Sequence, residues 1–202
     1  MALKFAVNNS LSAVTSLPTA IPTGSMTLLQ TQTASSSSTI SFTSNIDSTY
    51  DAYMFKFYDI HPATDDTAFE FNGSSDGGSN YNVTKTTTFF GAYQNEAGSS
   101  TNLGYGAGSD LAQSTSFQRI LAGVGNGNDE SGSATLHLFS LSSTTFAKHF
   151  ISVGQRLTQT YSVNDFGSGY FNTTSAINAI QFKFASGNID SGTIKLYGIK
   201  DS

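Results

Sequence analysis

Residues 53–58, Tyr53-Met54-Phe55-Lys56-Phe57-Tyr58, decide the fold class. Tyr53, Phe55 and Phe57 alternate with Met54, Lys56 and Tyr58, and an extended strand sorts such alternation onto two faces. The same period recurs along the chain. Ile40 and Phe42 alternate with Thr39, Ser41 and Thr43; Phe69 and Phe71 flank Glu70; Leu136 and Leu138 flank His137. Ile180, Phe182 and Phe184 flank Gln181 and Lys183, and Ile194 and Leu196 flank Lys195. Each run is short and bounded by Gly, Asp, Asn or Ser, the pattern of half-buried antiparallel strands. No segment carries a capped helical stripe. The expectation is an all-β, antiparallel β-sandwich of jelly-roll type over residues 39–202. Residues 1–38 read as an irregular N-terminal arm and linker, ending in Ala34-Ser35-Ser36-Ser37-Ser38.

Composition narrows the function classes. The chain has 202 residues, enough for a substantial core without a disulfide or metal staple. Cysteine is absent, which removes thiol chemistry and Cys-based metal sites. Only 11% of residues are charged and the formal net charge is −5. The seven lysines and two arginines, Arg119 and Arg156, are scattered, so no nucleic-acid surface is expected. No apolar run is long enough to span a membrane. The N-terminal segment MALKFAVNNSLSAVTSLP is interrupted by Asn, Ser and Thr, and reads as mature protein rather than a leader.

The stretch FNGSSDGGSNYN, residues 71–82, comes closest to a chemical motif. Ser74, Asp76 and Gly78 match the Asp-box turn of sialidase propellers, whereas Asn80 and Tyr81 replace its Thr and Trp. It occurs once, and two arginines cannot supply the carboxylate clamp that sialidases use. A hairpin turn explains it better, because Asp-Gly-Gly provides left-handed backbone positions and a self-bonding carboxylate.

Calcium would need several converging oxygens. The adjacent pairs Asp65-Asp66 and Asp129-Glu130 lack the loop spacing for it; Asp47, Asp51 and Asp59 lie near strand ends, where another loop could meet them, but read more simply as solvated turns. His61, His137 and His149 have no zinc-type spacing, and no nucleophile elbow occurs. Glu70 is the one mid-strand carboxylate that suits a glycosidase cleft, but the absence of tryptophan argues against a sugar-processing site. No catalytic residue, cofactor or metal is expected.

Two regions attract a binding role instead. In the arm, Leu3, Phe5, Val7, Leu11, Val14 and Leu17 are too apolar for a solvated linker, so residues 1–25 read as a segment that packs on the chain's own domain or, as an anchor, on a neighbouring subunit. Residues 91–116 are glycine-rich and read as a long loop or a pair of irregular strands; residues 125–132 read as a turn. Together these offer Tyr93, Tyr105, Asp129 and Glu130 to a ligand.

Residues 40–66, ISFTSNIDSTYDAYMFKFYDIHPATDD, followed by FEFNGSSDGGSNYN, and residues 170–200, YFNTTSAINAIQFKFASGNIDSGTIKLYGIK, carry a resemblance. Both are similar to a β-rich domain of small virion proteins in tailed bacteriophages, some capsid-associated and some tail-associated. The resemblance spans most of residues 26–200 and transfers no site residues. It implies a non-enzymatic structural subunit, made in the host cytoplasm and built into the particle as capsid decoration or head fibre. The partners it implies are other virion proteins and further copies of the chain, as a trimer or another symmetric assembly. The alternative is a tail-fibre or spike module binding a receptor or a host surface glycan, and a glycan hydrolase using Glu70 is the third reading.

Overall fold

The computed structural model describes residues 26–200, and these form two antiparallel sheets with no helix between them. The larger sheet runs, in spatial order, β1 (Met26–Ser37), β12 (Ile189–Ile199), β3 (Ala52–Pro62), β8 (Gly132–Phe139), β9 (Lys148–Thr158), β10 (Tyr161–Phe171), β5 (Lys85–Asn95) and β6 (Thr101–Tyr105). The smaller runs β2 (Ile40–Phe42), β11 (Ala179–Phe184), β4 (Thr67–Ser74) and β7 (Gln118–Val124). This is a β-sandwich, as the alternation in the sequence requires. An even jelly roll would divide eight strands equally. Here the division is eight and four, with β8, β9 and β10 running as a meander inside the larger sheet. Among the described residues no helix is long and apolar enough to cross a membrane.

The alternating phenylalanines meet in the middle. Phe55 and Phe57 from the larger sheet face Phe182 from the smaller, with ring centroids 4.9 and 5.0 Å apart. Phe42 and Phe69 close the cluster, at 5.0 Å from Phe55 and 5.3 Å from Phe57. All five are essentially without solvent exposure. Edge-to-face pairs of this kind add about 0.5–1.5 kcal/mol each beyond the area they bury.

The other end of the sandwich is filled differently. Ser152, Asp165, Thr87 and Gln118 are buried there, and the Thr87 hydroxyl donates to Gln118 Oε1 at 2.6 Å. Gln118 Nε2 in turn donates to the Ser109 carbonyl at 3.0 Å. Polar groups survive in this half because each finds a partner.

Two sequence expectations change. Residues 26–37 belong to the sandwich rather than to an irregular arm, because β1 pairs with β12 from Met26↔Ile199 to Ser37↔Ile189. The serine run remains in the ladder because an edge strand needs backbone donors and acceptors more than apolar side chains. Second, FNGSSDGGSNYN is not a hairpin. β4 and β5 lie in different sheets, so this segment is a crossover between layers. Its turn chemistry is as expected: Gly77 and Gly78 have φ of 74° and 92°, and Asp76 bonds its own loop. The glycine-rich region takes the second of its two expected forms, a strand pair, with β6 folding back on β5 from Gln94↔Thr101 to Phe90↔Tyr105.

Candidate functional site

The outer face of the larger sheet is the broadest exposed feature positioned by this fold. Antiparallel pairing places side chains of matching phase in lateral rows. One row runs Lys56, Thr135, Val153, Phe166, Phe90 and Tyr105. A second runs Met54, His137, Ile151, Ser168 and Thr88, and a third Ser133, Gln155, Asn164, Ala92 and Leu103. These rows contain no carboxylate, although the chain as a whole carries an acidic excess.

Apolar side chains stand in solvent on this face. Ile151 is 50% exposed, Phe90 43% and Leu103 70%. Phe90 and Phe166 stack in parallel at 4.8 Å and 5°. Lys56 and its neighbour across the ladder, Lys195, lie over the rings of Tyr197 and Tyr58 at 5.7 and 5.3 Å. Burial lowers the His137 pKa from its ordinary value, and the Lys56 charge adds to the effect. The face is therefore apolar and amide-rich, with its few cations held against aromatic rings.

Two shallow grooves mark the face. The first, about 410 Å³, is lined by Lys56, Tyr58, Thr135, Val153, Gln155 and Asn164. The second, about 500 Å³, continues past Gln155 and Asn164 to Gln94, Asn102 and Leu103. Asn164 Nδ2 donates to the Gly154 carbonyl at 2.7 Å, and Gln155 Nε2 to Ser162 Oγ at 3.0 Å. Gln155 Nε2 also donates to the Arg156 carbonyl at 3.1 Å, so Gln155 offers a ligand its amide oxygen, whereas Asn164 offers its oxygen and a second N–H.

The residues singled out from sequence fall in different places. Leu3, Phe5, Val7, Leu11, Val14 and Leu17 lie outside the described residues. Tyr105 is exposed on β6, and its hydroxyl donates to Asp110 Oδ2 at 2.7 Å, a contact that raises its pKa. Tyr93 sits on β5, edge-to-face with Tyr161 at 5.6 Å, and helps line the second groove.

Asp129 is exposed in the turn before β8, but its neighbour Glu130 is not available to a ligand. The Glu130 carboxylate is buried and accepts the backbone N–H groups of Gly127, at 2.6 Å, and of Gln159. It shapes the turn, a role that acidic residues in glycine-rich turns commonly take.

Glu70 lies on the outer face of the smaller sheet. Its lateral neighbours are Lys183 and Arg119, with Arg119 Nε 3.8 Å from Glu70 Oε1. Burial raises its pKa, and the two cations oppose that shift. A glycosidase needs a second carboxyl group across a cleft. What flanks Glu70 in its row is cationic. Among the described residues no group of three or more His, Cys, Asp or Glu side chains is placed to hold a metal ion.

The exposed rows escaped the sequence reading because β9 and β10 invert the usual phase. Their inward positions include Ser152, Gly154, Asp165, Gly167 and Gly169, while Ile151, Val153 and Phe166 point outward. A sequence signal existed in the alternation of Ile151 and Val153, but it points to the wrong face. No family model, curated protein or solved structure matches the chain.

Proposed function

We propose that the chain is a non-enzymatic structural component of a tailed-phage virion, a capsid-decoration or head-fibre subunit that assembles with copies of itself through the outer face of the larger sheet. The observation that carries this reading is the carboxylate-free, partly apolar face around Ile151, Val153, Phe166 and Phe90. Eight strands at about 4.8 Å spacing and several lateral rows give on the order of 800 Å², one partner's share of a standard interface. A second copy is the occupant that fits. A chain with net charge −5 repels itself through its acidic loops, and this face brings copies together where no carboxylate lies in the rows. The resemblance of residues 40–82 and 170–200 to small virion proteins supplies the setting, with residues 1–25 as the anchor to the particle.

The self-association is tested by light scattering on the purified protein and on Ile151→Ser/Phe90→Ser. The native chain is expected to be oligomeric and the double variant monomeric with an unchanged β-sheet spectrum. A native chain that stays monomeric at high concentration overturns the assembly face. Cryo-electron microscopy of whole virions tests the setting, and particles lacking this chain on head and tail overturn it.

The continuous trough over Gln155 and Asn164 favours a second reading, a tail-fibre or spike module that binds a host glycan. Amides, hydroxyls and the Tyr58 ring are the chemistry of sugar recognition. Glycan-array binding lost in Asn164→Ala would establish it over the first reading.

A further inference from the structure

We propose that Lys85 and Asn72 become joined by a self-formed isopeptide bond that staples the two sheets together. Lys85 opens β5 in the larger sheet, and Asn72 lies on β4 in the smaller, 13 positions away. Both side chains are fully buried. Lys85 Nζ stands 2.7 Å from Asn72 Oδ1, which puts the amide carbon about 3–4 Å from the amine, next to the separation that acyl transfer needs.

The surroundings are arranged for acyl transfer. Asn72 Nδ2 donates to the carbonyls of Tyr81 at 2.8 Å and Thr115 at 2.9 Å, so the amide is fixed with its oxygen towards the lysine. The Gly73 N–H donates to that same oxygen at 2.8 Å. A backbone donor already aimed at the carbonyl oxygen stabilises the negative charge that develops there under attack. The two carbonyls that hold Nδ2 go on accepting hydrogen bonds from that nitrogen as it leaves as ammonia.

The amine is also prepared. Its partners are Asn72 Oδ1, the Val83 carbonyl at 2.9 Å and the Phe171 ring at 5.7 Å. Burial pushes its pKa down to about 7, and no charged neighbour contributes to the shift. Near neutral pH a substantial share of Lys85 is therefore the free amine, the nucleophilic form.

The reaction balances without a co-reactant. The lone pair of Nζ forms a bond to Asn72 Cγ, a proton passes from Nζ to Nδ2, and the Cγ–Nδ2 bond breaks. The products are a secondary amide and one molecule of ammonia. No acidic side chain contacts the pair among the described residues, so the proton moves without a carboxylate relay and the bond accumulates slowly after folding. In a chain with no cysteine, this bond supplies the covalent tie between layers that a disulfide gives elsewhere.

The test is tandem mass spectrometry of proteolytic peptides from the full chain, sampled over days at about pH 9, where the free amine predominates. The expected product, after cleavage between the two residues, is a branched peptide joining the segments that contain Asn72 and Lys85, lighter than their sum by one ammonia and nothing else. Its share rises with time, Lys85 in it resists trypsin, and it is absent from Lys85→Arg. Asn72-Gly73 can also lose ammonia by closing a succinimide, but that product is linear and persists in Lys85→Arg. Finding only linear peptides in the native chain, with or without ammonia loss, overturns the proposal whether or not the variant folds.

Discussion

Arg156 Nε lies 2.8 Å from Asp165 Oδ2, joining neighbouring strands β9 and β10 on the inward side of the larger sheet. The same Asp165 oxygen accepts the Ala122 N–H at 2.9 Å, and Arg156 Nη1 donates to the Gly123 carbonyl. Ala122 and Gly123 belong to β7, in the opposite sheet. This ion pair therefore holds the layers together at the end where the aromatic cluster does not reach.

Only 2% of the Asp165 side chain and 12% of Arg156 are exposed. Removing one partner leaves a buried charge unmatched, which typically costs about 3–5 kcal/mol. Arg156→Met is expected to lose stability in that range. Arg156→Met combined with Asp165→Leu should cost less than the sum of the single changes, because no orphan charge remains. Urea denaturation of the four proteins measures the coupling; strict additivity would show that the contact is not what joins the sheets.

Gly169 is the residue on β10 that lets Thr86 and Thr87 of β5 approach. A Cβ there would stand 2.6 Å from the Thr86 carbonyl oxygen and 2.7 Å from Thr87 Cγ2. The first of these atoms is backbone and cannot swing away. Gly169→Ala is expected to destabilise the fold by about 1–3 kcal/mol, the usual range for overpacking. Thermal unfolding of Gly169→Ala against Gly77→Ala separates this effect from a general loss of glycine, because a Cβ at Gly77 meets nothing within 4 Å and strains only the backbone of an exposed turn.

Lys85 ties stability to pH wherever its amine has not reacted. In the unfolded chain the ammonium keeps its proton up to its ordinary value of 10.5, whereas in the fold it releases it near 7. Between those values the unfolded state binds more protons, so stability rises with pH across the interval and is flat beyond it. The gain should be several kcal/mol and absent in Lys85→Met. Urea midpoints at about pH 6 and about pH 9 give the comparison. Equal pH dependence in the native chain and Lys85→Met would remove Lys85 as its source.

Much of the sandwich is legible in the phenylalanine alternation, because Tyr53, Phe55 and Phe57 and then Phe182 and Phe184 have one face to fill and fill it. What stays hidden depends on contacts across the layers. β10 offers Asp165, Gly167 and Gly169 to the interior, and no period-two hydrophobic count assigns those to a core face. Lys85 reads as a solvated charge until Asn72, Val83 and Phe171 are seen around it. The exposed outer face stays hidden for the same reason, since Ile151 and Val153 look like core residues when the inward Ser152 and Gly154 are unknown. Local chemistry fared better: the Asp76 turn was readable because its partners lie within a few residues.

Asp76 organises the crossover between β4 and β5. Its Oδ1 accepts the Ser74 hydroxyl at 2.6 Å and the Asn80 N–H at 2.9 Å, and its Oδ2 accepts Asn80 Nδ2 at 2.8 Å. The Ser74 contact leads in holding the carboxyl down to about 2, with the two Asn80 contacts behind it. A depressed carboxyl contributes stability that is complete above the unfolded value of 3.8 and is lost as pH falls from there through about 2. The crossover is therefore expected to open first in acid, while the ladder between β4 and β11 still holds. Asp76→Ala should mimic that opening at neutral pH. Asp76→Asn should fall between the two, since it keeps one acceptor oxygen and loses the charge. Hydrogen exchange reads the outcome directly: the Asn80 amide should lose protection in Asp76→Ala while the Phe71 amide, deep in β4, keeps it. Retained protection at Asn80 would mean that the glycines and Ser74 hold the turn without the carboxylate.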